Sequence, residues 1–337
     1  FHKTQVLKDA IVRSAQILER DGDVEEIKLL VDDAMKAGTE RNLGHDYLED
    51  FEERYSETAR ITTPTPWDII NELMQGGLGA GELGVVVAPA GIGKSWVLSA
   101  MGAYAISQGK NVVHYTLELN EAYVGLRYDS IFSGVEGQNL MYHKDEVLEK
   151  VEKVEGDLTI KYYPTRSCTV NTLSAHIKKA TSFGAEVDMI LVDYADIMRD
   201  VSKSTEMRHQ LGNIYEDLRG LAGEMQIPIW TASQANRSAL DEDVIDASKV
   251  AESYAKVMTA DFVISVSRKI EDKIANTGRF HVIKNRFGPD GLTYPAKINT
   301  NIGKIELFES TSTQGKEVQS KIRSRDNQTK QMLSARY

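Results

Sequence analysis

The chain has 337 residues, of which 27% are charged and 41% apolar, and 40 Lys and Arg face 50 Asp and Glu for a formal net charge of −10. At roughly 150 residues per domain, this length predicts about two domains, or one large domain with an appendage, and enough apolar material for a sizeable core. The acidic balance excludes a protein coated in positive charge, though not a local basic channel. The single cysteine, Cys168, excludes a disulfide framework, and no apolar run approaches the ~18 residues of a membrane span.

Residues 1–60 read as helical and acidic. Val6, Leu7, Ile11, Ala15 and Leu18 recur at helical spacing. A second helix is predicted from Asp23, with Glu26 completing a capping pair and Gly38 as its stop. The chain opens on Phe1 rather than Met, so it is expected to continue a longer polypeptide. The stretch Ile61-Thr-Thr-Pro-Thr-Pro66 reads as a boundary.

From Trp67 onward, short β-branched runs alternate with helical stretches. Strands are predicted at Leu83–Ala88, Val112–Leu117, Leu158–Tyr162, Met189–Asp193, Ile227–Ala232, Phe262–Val266 and His281–Lys284. Several are apolar without alternation, as strands buried on both faces of a mostly parallel sheet should be. The fold class is therefore α/β with helical crossovers, spanning residues 61–310. From about Thr311 the chain turns polar and basic and is expected to be disordered or weakly helical to residue 337.

The strand Leu83–Ala88 runs into Pro89-Ala90-Gly91-Ile92-Gly93-Lys94-Ser95, then into a helix near Trp96. This order is what phosphate binding requires. Gly91 and Gly93 let the backbone curl several N–H groups toward one phosphate, and the helix N-terminus adds its dipole. Lys94 supplies a charge near the β- and γ-phosphates, and the Ser95 hydroxyl suits Mg²⁺. The usual first loop glycine is Ala88 here.

Met189-Ile-Leu-Val-Asp193 is an apolar strand ending in an Asp suited to the Mg²⁺ shell. Many P-loop ATPases place a Glu directly after this Asp; here the position is Tyr194, which is no base near neutral pH. Glu118, ending Tyr115-Thr-Leu-Glu118, is the candidate base, at the tip of a strand expected beside the phosphate loop. That arrangement is RecA-like. Gln234 ends a third strand, where an amide could sense the γ-phosphate. Read singly, these are a surface acid and a polar strand-end residue.

Together the residues resemble the RecA-like domain of the DnaB family of hexameric replicative helicases. Ser233-Gln-Ala-Asn-Arg-Ser238 resembles the family's Ser-Gln-x-Asn-Arg segment, and Ile283-Lys-Asn-Arg-Phe-Gly-Pro289 its Lys-x-Arg-x-Gly-Pro segment. Gly44-His-Asp-Tyr-Leu-Glu-Asp-Phe-Glu53 and Arg286-Phe-Gly288 are similar to the branch found in T-even-type phages. The resemblance implies that Arg286 is an arginine finger for the neighbouring subunit's nucleotide and that Lys284 reaches the same nucleotide. It also implies that two loops line a central hole. One holds Lys203 and Arg208; the other holds Arg237, Lys249, Glu252 and Lys256. Where the family has Arg-Glu-Ser-Gly, this chain has Ala251-Glu-Ser-Tyr254.

The resemblance further implies a helical linker over residues 1–60, joined upstream to a collar domain, and ATP with Mg²⁺ as cofactors. Its partners would be single-stranded DNA, a primase and a helicase loader, in a homohexamer in the host cytoplasm with no membrane. The expected activity is ATP-driven 5′-to-3′ translocation and unwinding. A RecA-like recombinase and a non-catalytic ATP-gated scaffold or loader are the alternatives.

Overall fold

The computed structural model describes residues 11–17, 20, 27, 31, 47–49, 51–56, 60–202, 206–240, 242–250 and 254–322. The chain divides into two units, Phe1–Arg60 and Ile61–Tyr337. In the first, residues 11–17 and Phe51–Ser56 are helical. The helix start predicted at Asp23 and its stop at Gly38 lie outside the described residues.

The second unit opens with β1 (Thr62–Thr63), α1 (Asp68–Leu73) and β2 (Leu78–Gly79), where β1 and β2 form a small antiparallel pair. Then come β3 (Leu83–Ala88), α2 (Lys94–Ser107), β4 (Val112–Thr116), α3 (Glu121–Ser133), α4 (Lys144–Val151) and β5 (Leu158–Tyr162). They are followed by α5 (Val170–Ser182), β6 (Met189–Asp193), α6 (Met207–Met225), β7 (Ile229–Gln234), α7 (Ala255–Thr259) and β8 (Phe262–Ser267). The unit continues with α8 (Ile270–Ala275), β9 (Thr277–Asn285), β10 (Thr293–Asn299) and β11 (Lys304–Leu307). The main sheet has nine strands in the order β11-β10-β9-β8-β3-β7-β6-β4-β5. The six from β8 to β5 are parallel, and β9, β10 and β11 extend one edge antiparallel.

This order corrects one expectation. The strand ending toward Glu118 does not lie beside the phosphate-loop strand: the neighbours of β3 are β7 and β8, and β6 and β7 separate it from β4. After β3 the chain skips two places, and β6 and β7 later fill the gap from the far side.

The inner parallel strands β3, β4, β6, β7 and β8 are buried because helices cover both faces, whereas β5 at the edge is only partly covered. Along β3 the side chains alternate between two cores. Val86 and Ala88 join the side built from α2 and α3, with Leu98, Met101 and Tyr128. Leu83, Val85 and Val87 join the side built from α5 and α6, with Leu173, Tyr215 and Leu218. Gly84 has no room for a side chain: a Cβ there would run into the Trp230 ring of β7.

Sequence periodicity found four residues of β9 and missed β10 and β11. Proline interrupts β10 at Pro295, which normally argues against an interior strand, and β11 has only four residues. The polar tail also contains more structure than its composition implies. Residues 313–322 are helical, with Val318 and Ile322 buried one turn apart. The remaining tail cations from Arg323 onward lie outside the described residues.

Candidate nucleotide site and nucleic-acid groove

The carboxyl ends of the parallel strands open into a cleft of about 560 Å³, lined among others by Gly91, Gly93, Lys94, Ser95, Glu118 and Gln234. Open α/β sheets place ligands at this end. Pro89 is buried and Ile92 is buried as the loop's apolar anchor, whereas Ala90 and Trp96 line the cleft. Gly91 and Gly93 have φ of 71° and 113°, in the left-handed region where a side chain is strained. A Cβ on Gly91 would meet nothing within 4 Å, so the loop encircles open space. Helix α2 starts on Gly93 with no acidic residue in its first turn, leaving its N-terminal amides to an anion.

Lys94 is half-buried at the cleft floor. Burial lowers its pKa, and Asp193, Glu118 and Asp196 oppose that shift. Its Nζ lies 5.4 Å from the Tyr194 ring centroid. Although β7 and β6 stand between β3 and β4, Glu118 still reaches the cleft. The chain continues two residues past β4, with the Leu117 amide bonded to the Asp193 carbonyl at 2.8 Å, and Glu118 is exposed there.

Asp193 is 1% exposed, and burial raises its pKa against the opposing effects of the Ser95 hydroxyl and Arg127. Its Oδ1 has no hydrogen-bond partner. Arg127 was not foreseen from sequence. It sits on α3 with Nη1 4.0 Å from Asp193 Oδ2 and its guanidinium 5.3 Å from the Trp96 ring centroid. Lone within an amphipathic helix, it carries no motif. Arg268, Lys273, Asn276, Thr300 and Asn301 also line the cleft from the β8–β11 side and were equally invisible.

Lys284 and Arg286 lie elsewhere. Asn285 pairs with Phe262, which pairs with Gly84 at the start of β3. Arg286 is thus at the opposite end of the sheet from the phosphate loop, about 20 Å away along six strand residues. Its Nη1 is 2.5 Å from Asp261 Oδ1, and its side chain is 60% exposed. Asp261 also holds Arg219 at 2.5 Å and the Leu83 amide at 2.9 Å. Lys284 Nζ donates to the carbonyls of Val257 at 3.0 Å and Met258 at 2.6 Å. Burial, then the Arg286 charge, lowers its pKa.

The second loop proposed from sequence meets the start of α6, which follows the first. A groove of about 640 Å³ is lined by Arg208, His209 and Asn213, which the structure places on helix α6 rather than on a loop, and by Asn236, Ser248 and Tyr254 from the second. Arg208 and Tyr254 are exposed. Lys249 is paired with Glu242 at 2.7 Å. Lys256 contradicts the expectation of an exposed loop cation: it is 1% exposed, with Nζ 2.8 Å from Asp196 Oδ1. It is the second residue of α7, whose inner face packs on the core, so its charge is turned inward. Lys203, Glu252 and the Arg237 side chain lie outside the described residues. The acidity of the second loop is partly consumed within the fold. Asp243 holds Lys269 and Arg279, each at 2.9 Å, and Asp246 accepts from Ser248. Cys168 is buried, its thiol pushed up to about 12 by burial.

A phosphate loop after β3 of such a sheet, with Glu118 lining the cleft just past β4 and the buried Asp193 at the end of β6 beside Ser95, defines a P-loop ATPase fold of the RecA-like class. Within that class, the family model of the DnaB-like helicase C terminal domain matches residues 64–304, and the chain belongs to this family. It is 29% identical over 286 residues to the DnaB-like replicative helicase of Enterobacteria phage T4, covering 79% of this chain and 59% of that protein. It is 25% identical over 256 residues to the replicative helicase DnaB of Geobacillus stearothermophilus, covering 68% and 55%. The chain thus spans little more than half the length of these relatives. Among solved structures, an isolated ATPase domain matches at 16% identity with a TM-score of 0.66, covering 77% of this chain and 96% of that one. A DnaB-like replicative helicase studied with primase matches at 17% with a TM-score of 0.70, covering 90% and 76%.

Proposed function

We propose that this chain carries the motor of an ATP-driven replicative DNA helicase. It assembles as a six-membered ring, translocates 5′ to 3′ on single-stranded DNA and separates the duplex ahead of it. The observation that carries this reading is the distance between Arg286 and its own phosphate loop. A cation on the opposite end of the sheet cannot serve the cleft of its own chain, but in a head-to-tail ring it serves the next one.

In this reading Lys94 and the loop amides hold the phosphates of ATP. Glu118 polarises the attacking water, and Gln234 senses the γ-phosphate. Arg286 and Lys284 complete the neighbouring site, so hydrolysis depends on assembly. Ser95 and Asp193 would hold Mg²⁺: a buried carboxylate with one unpartnered oxygen, beside a hydroxyl, is a donor set that fits a hard cation. When bound, the ion would neutralise charge on the β- and γ-phosphates.

The groove between Arg208 and Tyr254 receives single-stranded DNA by phosphate contact and stacking, without reading sequence. An apolar groove lined by Leu126 on α3, Leu140 and Met141 on the short turn Gly137–His143, and Leu148 on α4 is available for subunit packing. A primase and a helicase loader are the expected partners, in the cytoplasm of a bacterial host; the primase is supported by the solved DnaB-like helicase described with one. Among the described residues no helix is long and apolar enough to cross a membrane.

Negative-stain imaging with an ATP analogue and single-stranded DNA tests the assembly. Six-membered rings are expected; helical filaments or monomers would overturn the reading.

A further inference from the structure

Asp196 and Lys256 form a buried ion pair with no role in the chemistry described so far, and neither carries a recognisable motif. Asp196 follows β6 by three residues, on the short turn Ala195–Ile197. Its carboxylate collects donors from three other elements. On β7, the Gln234 backbone N–H donates at 2.9 Å and the Ser233 hydroxyl at 3.2 Å. On α6, the Tyr215 hydroxyl donates at 2.8 Å. On α7, the Lys256 ammonium donates at 2.8 Å and also reaches the Ser233 hydroxyl at 3.2 Å.

Each of these elements borders the cleft or the groove. The tips of β6 and β7 carry Asp193 and Gln234. Helix α6 begins at the groove with Arg208, and α7 follows directly on Tyr254. The carbonyls of Val257 and Met258, on the same short helix α7, receive the Lys284 ammonium. The helix is therefore fastened to the ends of β6 and β7 through Lys256 and to the end of β9 through Lys284. Burying a lysine at 1% exposure is costly unless it is paired, and an apolar residue would fill the same core position without that requirement. A buried pair, unlike an apolar contact, ties the position of α7 to the position of one carboxylate.

We propose that Asp196 and Lys256 are positioning residues that couple nucleotide state at the β6 and β7 tips to the groove loop ahead of α7. The proposal rests on the reading of the cleft as an ATPase site and of the groove as the seat of single-stranded DNA. A shift of the Gln234 backbone moves the carboxylate it donates to. The carboxylate carries Lys256 with it, and α7 repositions Tyr254 and the loop. The reverse path lets a bound strand set the geometry at Gln234, and such coupling is reciprocal for binding.

The test uses the full chain and oligothymidylate as the DNA. ATP turnover is measured with and without saturating DNA for the wild type, Lys256→Met, Lys256→Arg and the double variant Asp196→Asn/Lys256→Met. The double variant leaves no unpaired buried charge and so carries the test if Lys256→Met does not fold. In the wild type, DNA stimulates turnover. In Lys256→Met and the double variant, the ratio of stimulated to basal turnover is expected to fall by about fivefold or more, and Lys256→Arg is expected to recover part of it. A double variant that keeps the wild-type ratio overturns the proposal. So does one whose basal and stimulated rates fall together, because that marks the pair as structural only. A wild type that binds no oligothymidylate and shows no stimulation overturns the underlying reading of the groove, and the proposal with it.

Discussion

Arginine 286 gives the most demanding prediction. In Arg286→Ala the fold should persist, because Asp261 keeps Arg219 at 2.5 Å and the Leu83 amide at 2.9 Å. The lost pair is 60% exposed on the arginine side, and the buried Asp261 carboxylate stays neutralised by Arg219, so the loss of stability should be modest. Turnover should fall far more, by about 10³-fold or greater, as for other arginines supplied in trans. The assay mixes Arg286→Ala with Glu118→Gln, each expected to be inactive alone. In randomly mixed rings, about a quarter of the interfaces pair an intact Glu118 with an intact Arg286 of the next subunit. ATP turnover of the mixture should therefore recover to about a quarter of the wild type. A mixture as inactive as its components would refute the placement of Arg286 at a neighbour's nucleotide.

Three further outcomes are expected. Glu118→Gln should retain ATP binding, measured with a fluorescent analogue, while hydrolysis drops by about 10²-fold or more; unchanged turnover would exclude Glu118 as the base. Tyr254→Ala should weaken single-stranded DNA binding by about 1–3 kcal/mol in a fluorescence-anisotropy titration if the exposed ring stacks on a base, and an unaltered affinity would remove it from the groove's function. His114 is fully buried against the Tyr128 hydroxyl at 2.8 Å, and burial, then the Arg127 charge, push its pKa down to about 3. Because the unfolded chain binds this proton near pH 6.5 and the native state does not, stability should fall as pH drops from about 6.5 toward 3, by about 1.4 kcal/mol per pH unit from this group. His114→Gln should flatten that dependence in denaturant titrations; an identical slope would contradict it.

The inner strands of the parallel sheet were legible because both of their faces are buried. Val85, Val86 and Val87 in succession admit little else. The phosphate loop was legible because its chemistry constrains consecutive residues. Strand order was not legible: nothing local to Val112–Thr116 records that two strands from later in the chain will separate it from β3. The edge strands were missed for a related reason. Pro295 interrupts the local pattern, while tertiary pairing with β9 and β11 sustains the strand. Cations were the least legible class. Arg127, Arg208 and Lys256 look alike in sequence, yet one stacks on Trp96 beside Asp193, one is exposed at a groove, and one is sealed against Asp196. Only packing separates these fates, because a lysine is buried or solvated according to whether a carboxylate meets it.

The central claim is that ATP hydrolysis at this cleft drives strand separation. Its most direct test is release of a labelled strand from a forked duplex with a 5′ single-stranded tail, in the presence of Mg²⁺ and ATP. The account predicts strand release that requires ATP and the 5′ tail and is abolished by Glu118→Gln. Rapid ATP hydrolysis with no strand released, or strand exchange along a filament in its place, would contradict it.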